Sequence, residues 1–204
     1  MSAAAIEQPF DDEPFSLTAI ADEIMERHPG YRVEIIGGHL LVTPPPDVDH
    51  AFALTDLMIP FIAAGLHGAE TKVAQNVGLW LPTGAEDYAI PDLAIVDADI
   101  RDHIVENNAY DPVCFRLVLE VTSSNWKDDL KTKAVAYAQA KVPVYVIVDR
   151  RHQRVHVLTD PSGEQYEHHR PYSPGETAAL PASIGAQVTL DVDQILKAAQ
   201  KKAD

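Results

Sequence analysis

Cysteine is almost absent. Cys114 is the only one in 204 residues, so no intrachain disulfide can form, and a reducing compartment such as the cytoplasm suits the chain. Long apolar runs are missing as well. None approaches the roughly 18 residues that a membrane-spanning helix needs. Residues 1–14 carry Glu7, Asp11, Asp12 and Glu13 and no basic residue, the reverse of the positive start of a secretory signal. They read as a flexible tail, with residues 15–204 forming one domain.

Positive charge is the third scarcity. Sixteen Lys and Arg stand against 31 Asp and Glu, for a net charge of -15. That excludes a protein that coats nucleic acid by bulk electrostatics, because phosphate neutralisation takes Lys and Arg. The basic residues that exist are concentrated. Arg116 to Arg154 holds eight of them and four acids, so this stretch is +4 and the remainder -19. Such a stretch either forms a local patch able to meet a phosphate backbone or is a solvated helix face and turn. Also missing are a Gly-x-Ser-x-Gly elbow, a P-loop and a dinucleotide fingerprint, and with them the reactions those motifs serve.

What is present is a hydrophobic content of 46%, in the ordinary globular range, arranged in alternating helix and strand signals. Ser16 caps a helix whose apolar positions are Leu17, Ile20, Ala21, Ile24 and Met25, and His28-Pro29-Gly30 stops it. Val33 to Ile36 and Leu40 to Thr43 form a hairpin through Gly37-Gly38. Asp47 or Asp49 caps a helix with Leu54, Leu57, Met58 and Phe61 on its apolar face, which Pro60 bends or ends. Val73 to Leu81 reads as one strand and Asp92 to Val96 as another. Asp97 to Pro112 reads as a polar loop. Phe115 to Val121 is a strand, Asn125 to Lys141 a helix, and Val142 to Val148 a strand covered on both faces. Arg154 to Leu158 pairs with it, and a strand near Gln187 and a helix from Val192 close the chain. The pattern predicts an α/β fold with a mixed sheet.

Two carboxylates stand out. Glu120 lies near the end of the Phe115 to Val121 strand, and Asp92 opens an apolar strand directly after Pro91. A charge on a buried strand is costly unless it is paired or bound to metal. Two carboxylates meeting at adjacent strand ends repel, and a hard divalent cation with oxygen ligands relieves the repulsion. Lys133 borders the inward face of the following helix, three residues after Leu130 and four before Tyr137. Its stem can lie along apolar surface with the ammonium reaching the strand ends. Asp, Glu, Lys and a cation are the parts that phosphodiester hydrolysis requires. Read singly, the same residues are a turn aspartate, a strand-edge glutamate and a surface lysine.

The stretch Tyr31 to Leu40, Ile90-Pro91-Asp92-Leu93, Leu119-Glu120-Val121-Thr122-Ser123, Asp129 to Lys133, Lys133 to Tyr137 and Val142 to Asp149 together resemble the Uma family of "putative restriction endonucleases" in the PD-(D/E)XK nuclease superfamily. The likeness runs from Phe15 to Leu158. It implies a restriction-endonuclease-like mixed β-sheet flanked by helices, with an N-terminal helix and a β-hairpin. It also implies Mg²⁺ or Mn²⁺ as cofactor and DNA as substrate. Asp92 matches the family's motif aspartate and Glu120 its motif acid, the two metal ligands. The superfamily's usual lysine would stand at position 122, where this chain has Thr122, and Lys133 matches a lysine carried on the next helix. Glu34 matches an early family glutamate that contributes to the site. His50 matches a family histidine and shares a helix face with Leu54 and Leu57, which points to a place in the core or behind the ligands rather than to a ligand. The loop Ser123-Ser124-Asn125-Trp126 departs from the family's usual Ser-Pro-Ser-Thr.

The resemblance implies a metal-dependent endonuclease, and cutting both strands of a duplex makes a homodimer an expectation. The -15 charge and the missing strand lysine favour an alternative, a non-catalytic module of the same fold that binds nucleic acid or protein. In a third, Lys133 serves only a structural ion pair. His152, His156, His168 and His169 match no zinc-ligand spacing. Tyr137 and Tyr145 read as core, and Trp126 as a helix-start packing or stacking residue.

Overall fold

The structure, a computed structural model, describes residues 16–122 and 128–199. The tail expected over residues 1–14 and the loop from Ser123 to Trp126 lie outside the described residues. The first half of the chain comprises α1 (Leu17–Arg27), β1 (Arg32–Ile36), β2 (His39–Thr43), α2 (Val48–Ala63), β3 (Thr71–Gln75), β4 (Gly78–Trp80), β5 (Tyr88–Ala89) and β6 (Leu93–Asp97). The hairpin β7 (Ile104–Glu106) and β8 (Ala109–Tyr110) follows, then β9 (Phe115–Val121) and α3 (Ala134–Gln139). The chain continues with β10 (Val144–Asp149), β11 (Arg154–Ser162), β12 (Gln165–Tyr172), β13 (Thr177–Leu180), β14 (Val188–Asp191) and α4 (Val192–Ala198).

The central sheet has the order β12-β11-β10-β9-β6-β3. Only β9 and β10 pair in parallel; the other neighbours are antiparallel. This is the mixed α/β architecture expected from the sequence. Every residue of β10 is buried, as a strand covered on both faces requires. Leu93, Ile95, Leu117, Leu119, Val144 and Val146 pack against α2 through Leu54, Leu57 and Phe61, and against α4 through Ile195 and Leu196. Val118, Tyr145 and Ile147 share the opposite core with Ala136 and Tyr137 of α3. A second sheet, β2-β1-β5-β4-β8-β7, carries the N-terminal hairpin.

Several expectations need correction. Val73 to Leu81 is not one strand. The chain turns at Asn76, whose φ is +52°, and β3 and β4 belong to different sheets. The stretch expected as a polar loop contains the β7–β8 hairpin, turned by Asn107 and Asn108 at φ +50° and +56°. Such a left-handed pair suits a two-residue hairpin turn. Pro60 does not end α2, which runs on to Ala63. The described basic residues of the Arg116 to Arg154 stretch are not gathered in the main cleft. Arg116 is spent on Asp97 at 2.6 Å, and among the described residues only Lys133 and Arg150 of that stretch line the main cleft.

The hairpin that delivers site residues is tied down by one buried acid. Gly37 and Gly38, at φ +59° and +71°, make the tight turn between β1 and β2. Asp87 accepts from their backbone N–H groups at 2.6 and 3.2 Å and from the Thr83 hydroxyl. Asp87→Ala removes an anionic acceptor from three donors, and a loss of about 2–3 kcal/mol in urea unfolding is expected. A loss below about 0.5 kcal/mol, the ordinary surface range, would show that the turn holds itself.

Candidate active site

Strand register brings the two sequence-flagged carboxylates to one place. Leu93 of β6 pairs with Leu119 of β9, so Asp92 and Glu120, one step further along each strand, arrive at the same sheet end. Both are buried. Asp92 Oδ2 accepts the backbone N–H of Val121 at 2.9 Å, which locks the strand end to the neighbouring acid's own strand. Asp92 Oδ1 faces Arg32 Nη1 at 2.9 Å and His50 Nε2 at 3.5 Å. Burial alone would push the Asp92 carboxyl up. The His50 contact, the Arg32 charge and the Val121 N–H outweigh it and hold the group well below the usual carboxylate range.

Glu120 points toward α3. Lys133 sits at the junction of a π-helical turn, Asp128–Lys133, with α3, a geometry often found at functional sites. Its side chain is 3% exposed, with Nζ 2.8 Å from Glu120 Oε1 and 3.0 Å from Glu34 Oε1. The amine therefore reaches inward, as its place beside the apolar helix face implies. Glu34, on β1, also accepts from the Ile90 backbone N–H at 2.7 Å, two residues before Asp92. The second sheet is thereby fastened to the strand end that carries Asp92. All four sequence-selected residues, Asp92, Glu120, Lys133 and Glu34, line one cleft of about 830 Å³ together with Arg32, His50 and Arg150.

Three contributors escaped the sequence reading. Tyr137 is core, as expected, yet its hydroxyl donates to Glu120 Oε1 at 2.9 Å. Burial pushes its ionisation well above the ordinary tyrosine value, helped by Glu120 and Glu34, so it stays a donor. It lies four residues after Lys133, one helical turn on, and that spacing was a usable signal. Arg32 lies two residues before Glu34 on β1, so the strand alternation that selects Glu34 selects it too. Its Nε is buried with no acceptor among the described residues, an arrangement that costs about 1–3 kcal/mol. Arg150 lines the cleft just past β10, and its backbone N–H donates to Thr122 Oγ1 at 3.1 Å. Thr122, at the position where a strand lysine was considered, is buried and donates to the Val148 carbonyl at 3.2 Å. It joins β9 to β10 and positions Arg150.

His50, on α2, turns Nε2 toward Asp92 Oδ1 at 3.5 Å. The other histidines form no metal cage. His152 and His156 turn ring nitrogens to the buried Asp149 at 2.7 and 3.8 Å, and His156 meets His169 at 2.8 Å. Among the described residues no cluster of three His, Cys, Asp or Glu groups encloses an ion site. Cys114 is buried and its thiol is pushed up to about 11 by burial and by Asp97, Asp111 and Asp99, so it is no nucleophile at neutral pH.

The donor set still fits one kind of ion. The cleft offers buried carboxylate oxygens from Asp92, Glu120 and Glu34, with the exposed Asp47 at its edge, and no thiolate. Mg²⁺ typically takes one or two protein carboxylates and completes its shell with water and phosphate. A pair of acids at a strand end, facing a cleft, suits that ion better than a closed three-ligand cage would.

Comparison with known proteins bears on the family and the fold. The family described as Uma2, "putative restriction endonuclease", matches residues 21–193. No curated protein matches the chain. Among solved structures, a "putative nuclease belonging to DUF820" from Anabaena variabilis superposes with a TM-score of 0.62 at 12% identity. The match covers 82% of this chain and 91% of that one. At that identity the likeness is one of fold. No described helix is long and apolar enough to cross a membrane.

Proposed function

This chain belongs to the Uma2 family of "putative restriction endonucleases", and from that premise we propose that it hydrolyses phosphodiester bonds in DNA with Mg²⁺ or Mn²⁺ as cofactor. The observation that carries the reading is the charge of the buried group at the cleft's floor. Asp92, Glu120 and Glu34 face Arg32 and Lys133, so this buried group of five carries one net negative charge. A divalent cation together with one phosphodiester anion brings it to zero, and neither partner alone does. Buried charge favours neutrality, so the site favours the two arriving together.

Asp92 and Glu120 would hold the ion, which supplies Lewis acidity and a bound water of lowered pKa. The chain's own groups do the rest. Val121 N–H and Tyr137 Oη fix the two carboxylates in orientation. Glu34 holds Lys133 in place, and the Lys133 ammonium puts a fixed positive charge where negative charge builds on the phosphate. Arg150, beside the same cleft, supplies a guanidinium fork matched to a phosphate of the DNA strand. Two copies acting together would cut both strands of a duplex.

The test is nicking of supercoiled plasmid. The expected result is cleavage in Mg²⁺ or Mn²⁺, none in EDTA, and a loss of roughly a hundredfold or more for Glu120→Gln. Cleavage that persists in EDTA or survives the substitution would overturn the assignment. A second reading, a binding module without catalysis, draws support from the net charge of -15 and from the near-complete enclosure of Lys133. It predicts that Mn²⁺ titration of the wild type shows no site-specific binding relative to Asp92→Asn.

A further inference from the structure

Two of the cleft's cations, Lys133 and Arg32, are held in different ways. Lys133 is enclosed, 3% exposed, and shared between two acids. Arg32 is 21% exposed and lines the cleft. Its Nη1 bonds Asp92 Oδ1 at 2.9 Å and Asn76 Oδ1 at 3.4 Å, while Nε has no acceptor among the described residues. A guanidinium has five N–H donors in a rigid fork. One that leaves a buried donor empty is poorly housed. Burial disfavours its charge, and the charges of Glu34, Glu120 and Asp92, with the Asp92 hydrogen bond, outweigh that. Arg32 therefore sits on Asp92 because three acids need a counter-charge, and its own hydrogen bonding is left incomplete.

We propose that Arg32 is a displaceable counter-ion: it occupies the Asp92 carboxylate in the metal-free protein and yields it when a divalent cation binds. This rests on the metal-dependent reading of the cleft. The displacement is favoured on three counts. A divalent ion brings twice the charge to the same acids. It would be held by Asp92 and Glu120 jointly, whereas of these two acids Arg32 bonds only Asp92. The released guanidinium, on the more open side of the cleft, can then satisfy the donor it now leaves empty. Lys133 has no such exit and stays. The consequence is competition: Arg32 weakens metal binding while it holds the metal-free site together.

A guanidinium that merely braced Asp92 would do the reverse, and that separates the two roles. In calorimetric titration of the full chain with Mn²⁺, without DNA, Arg32→Gln is expected to bind the ion roughly tenfold more tightly than the wild type, a change worth about 1.4 kcal/mol. The variant melts at a lower temperature in EDTA and gains more from added Mn²⁺ than the wild type does. Equal or weaker binding by the variant would overturn the displacement and leave the nuclease reading intact. Absence of Mn²⁺ binding in both proteins would overturn both. Should Arg32→Gln not fold, the wild type answers alone. In ¹⁵N-labelled protein the Arg32 Nε–H resonance is expected to move as Mg²⁺ is added, saturating with the metal. A resonance that stays in place through saturation refutes the proposal.

Discussion

Lys133→Met is expected to cost about 3–5 kcal/mol of stability, the range for breaking a buried ion pair by removing one partner, and to reduce cleavage by roughly a hundredfold or more. Nζ bridges Glu34 Oε1 and Glu120 Oε1 at 3.0 and 2.8 Å. Without it, two buried carboxylates that approached the same amine face each other with no cation between them. Like charges so placed cannot both stay ionised cheaply, so one carboxyl is driven above its unfolded value. The sign follows from linkage. A carboxyl raised on folding takes up a proton more readily in the folded state, so the variant recovers stability as pH falls from 7 toward 5. Urea unfolding at the two pH values reads this directly. Adding Glu34→Gln to the variant removes the repulsion and is expected to restore part of the loss without restoring cleavage. A variant that is destabilised yet cuts plasmid at the wild-type rate would assign Lys133 to architecture alone.

The same residue shows why so much of the site was legible. Lys133 borders an apolar helix face, Glu120 and Asp92 sit at the ends of apolar strands, and a buried charge needs a partner. These are local signals, and the β6–β9 register turns them into contacts by pairing Leu93 with Leu119. Ser16, Gly37-Gly38 and Asp47 likewise mark their boundaries by local chemistry, and α1, the β1–β2 hairpin and α2 follow from them. What stayed hidden leaves no mark in the hydropathy pattern. β12, Gln165–Tyr172, has mostly exposed side chains and is a strand because β11 pairs with it. The β3–β4 break looks continuous in hydropathy, and only the left-handed backbone at Asn76 sends the two halves to different sheets. Arg32 is an ordinary exposed-strand residue until Asp92, 60 positions later, comes within 2.9 Å.

Asp92→Asn tests the other end of the cleft, and its expected effect on cleavage is the larger, roughly a thousandfold or more, because a neutral amide neither balances a divalent cation nor orients its water. The substitution also isolates one titration. In the wild type the Asp92 carboxyl is held below its usual value, against burial, by His50, Arg32 and the Val121 N–H. A carboxyl lowered on folding contributes stability above its unfolded pKa of about 3.9 and loses it as pH falls toward the folded value. Other acids titrate alike in both proteins and cancel in the difference. In EDTA, the stability gap between wild type and Asp92→Asn should therefore be flat above about pH 5 and close below about pH 4. A gap that persists or widens into acid would mean that Asp92 draws no stability from its charge. Arg32 would then need another reason to stand beside it, and the charge count on which the nuclease assignment rests would lose one of its three acids.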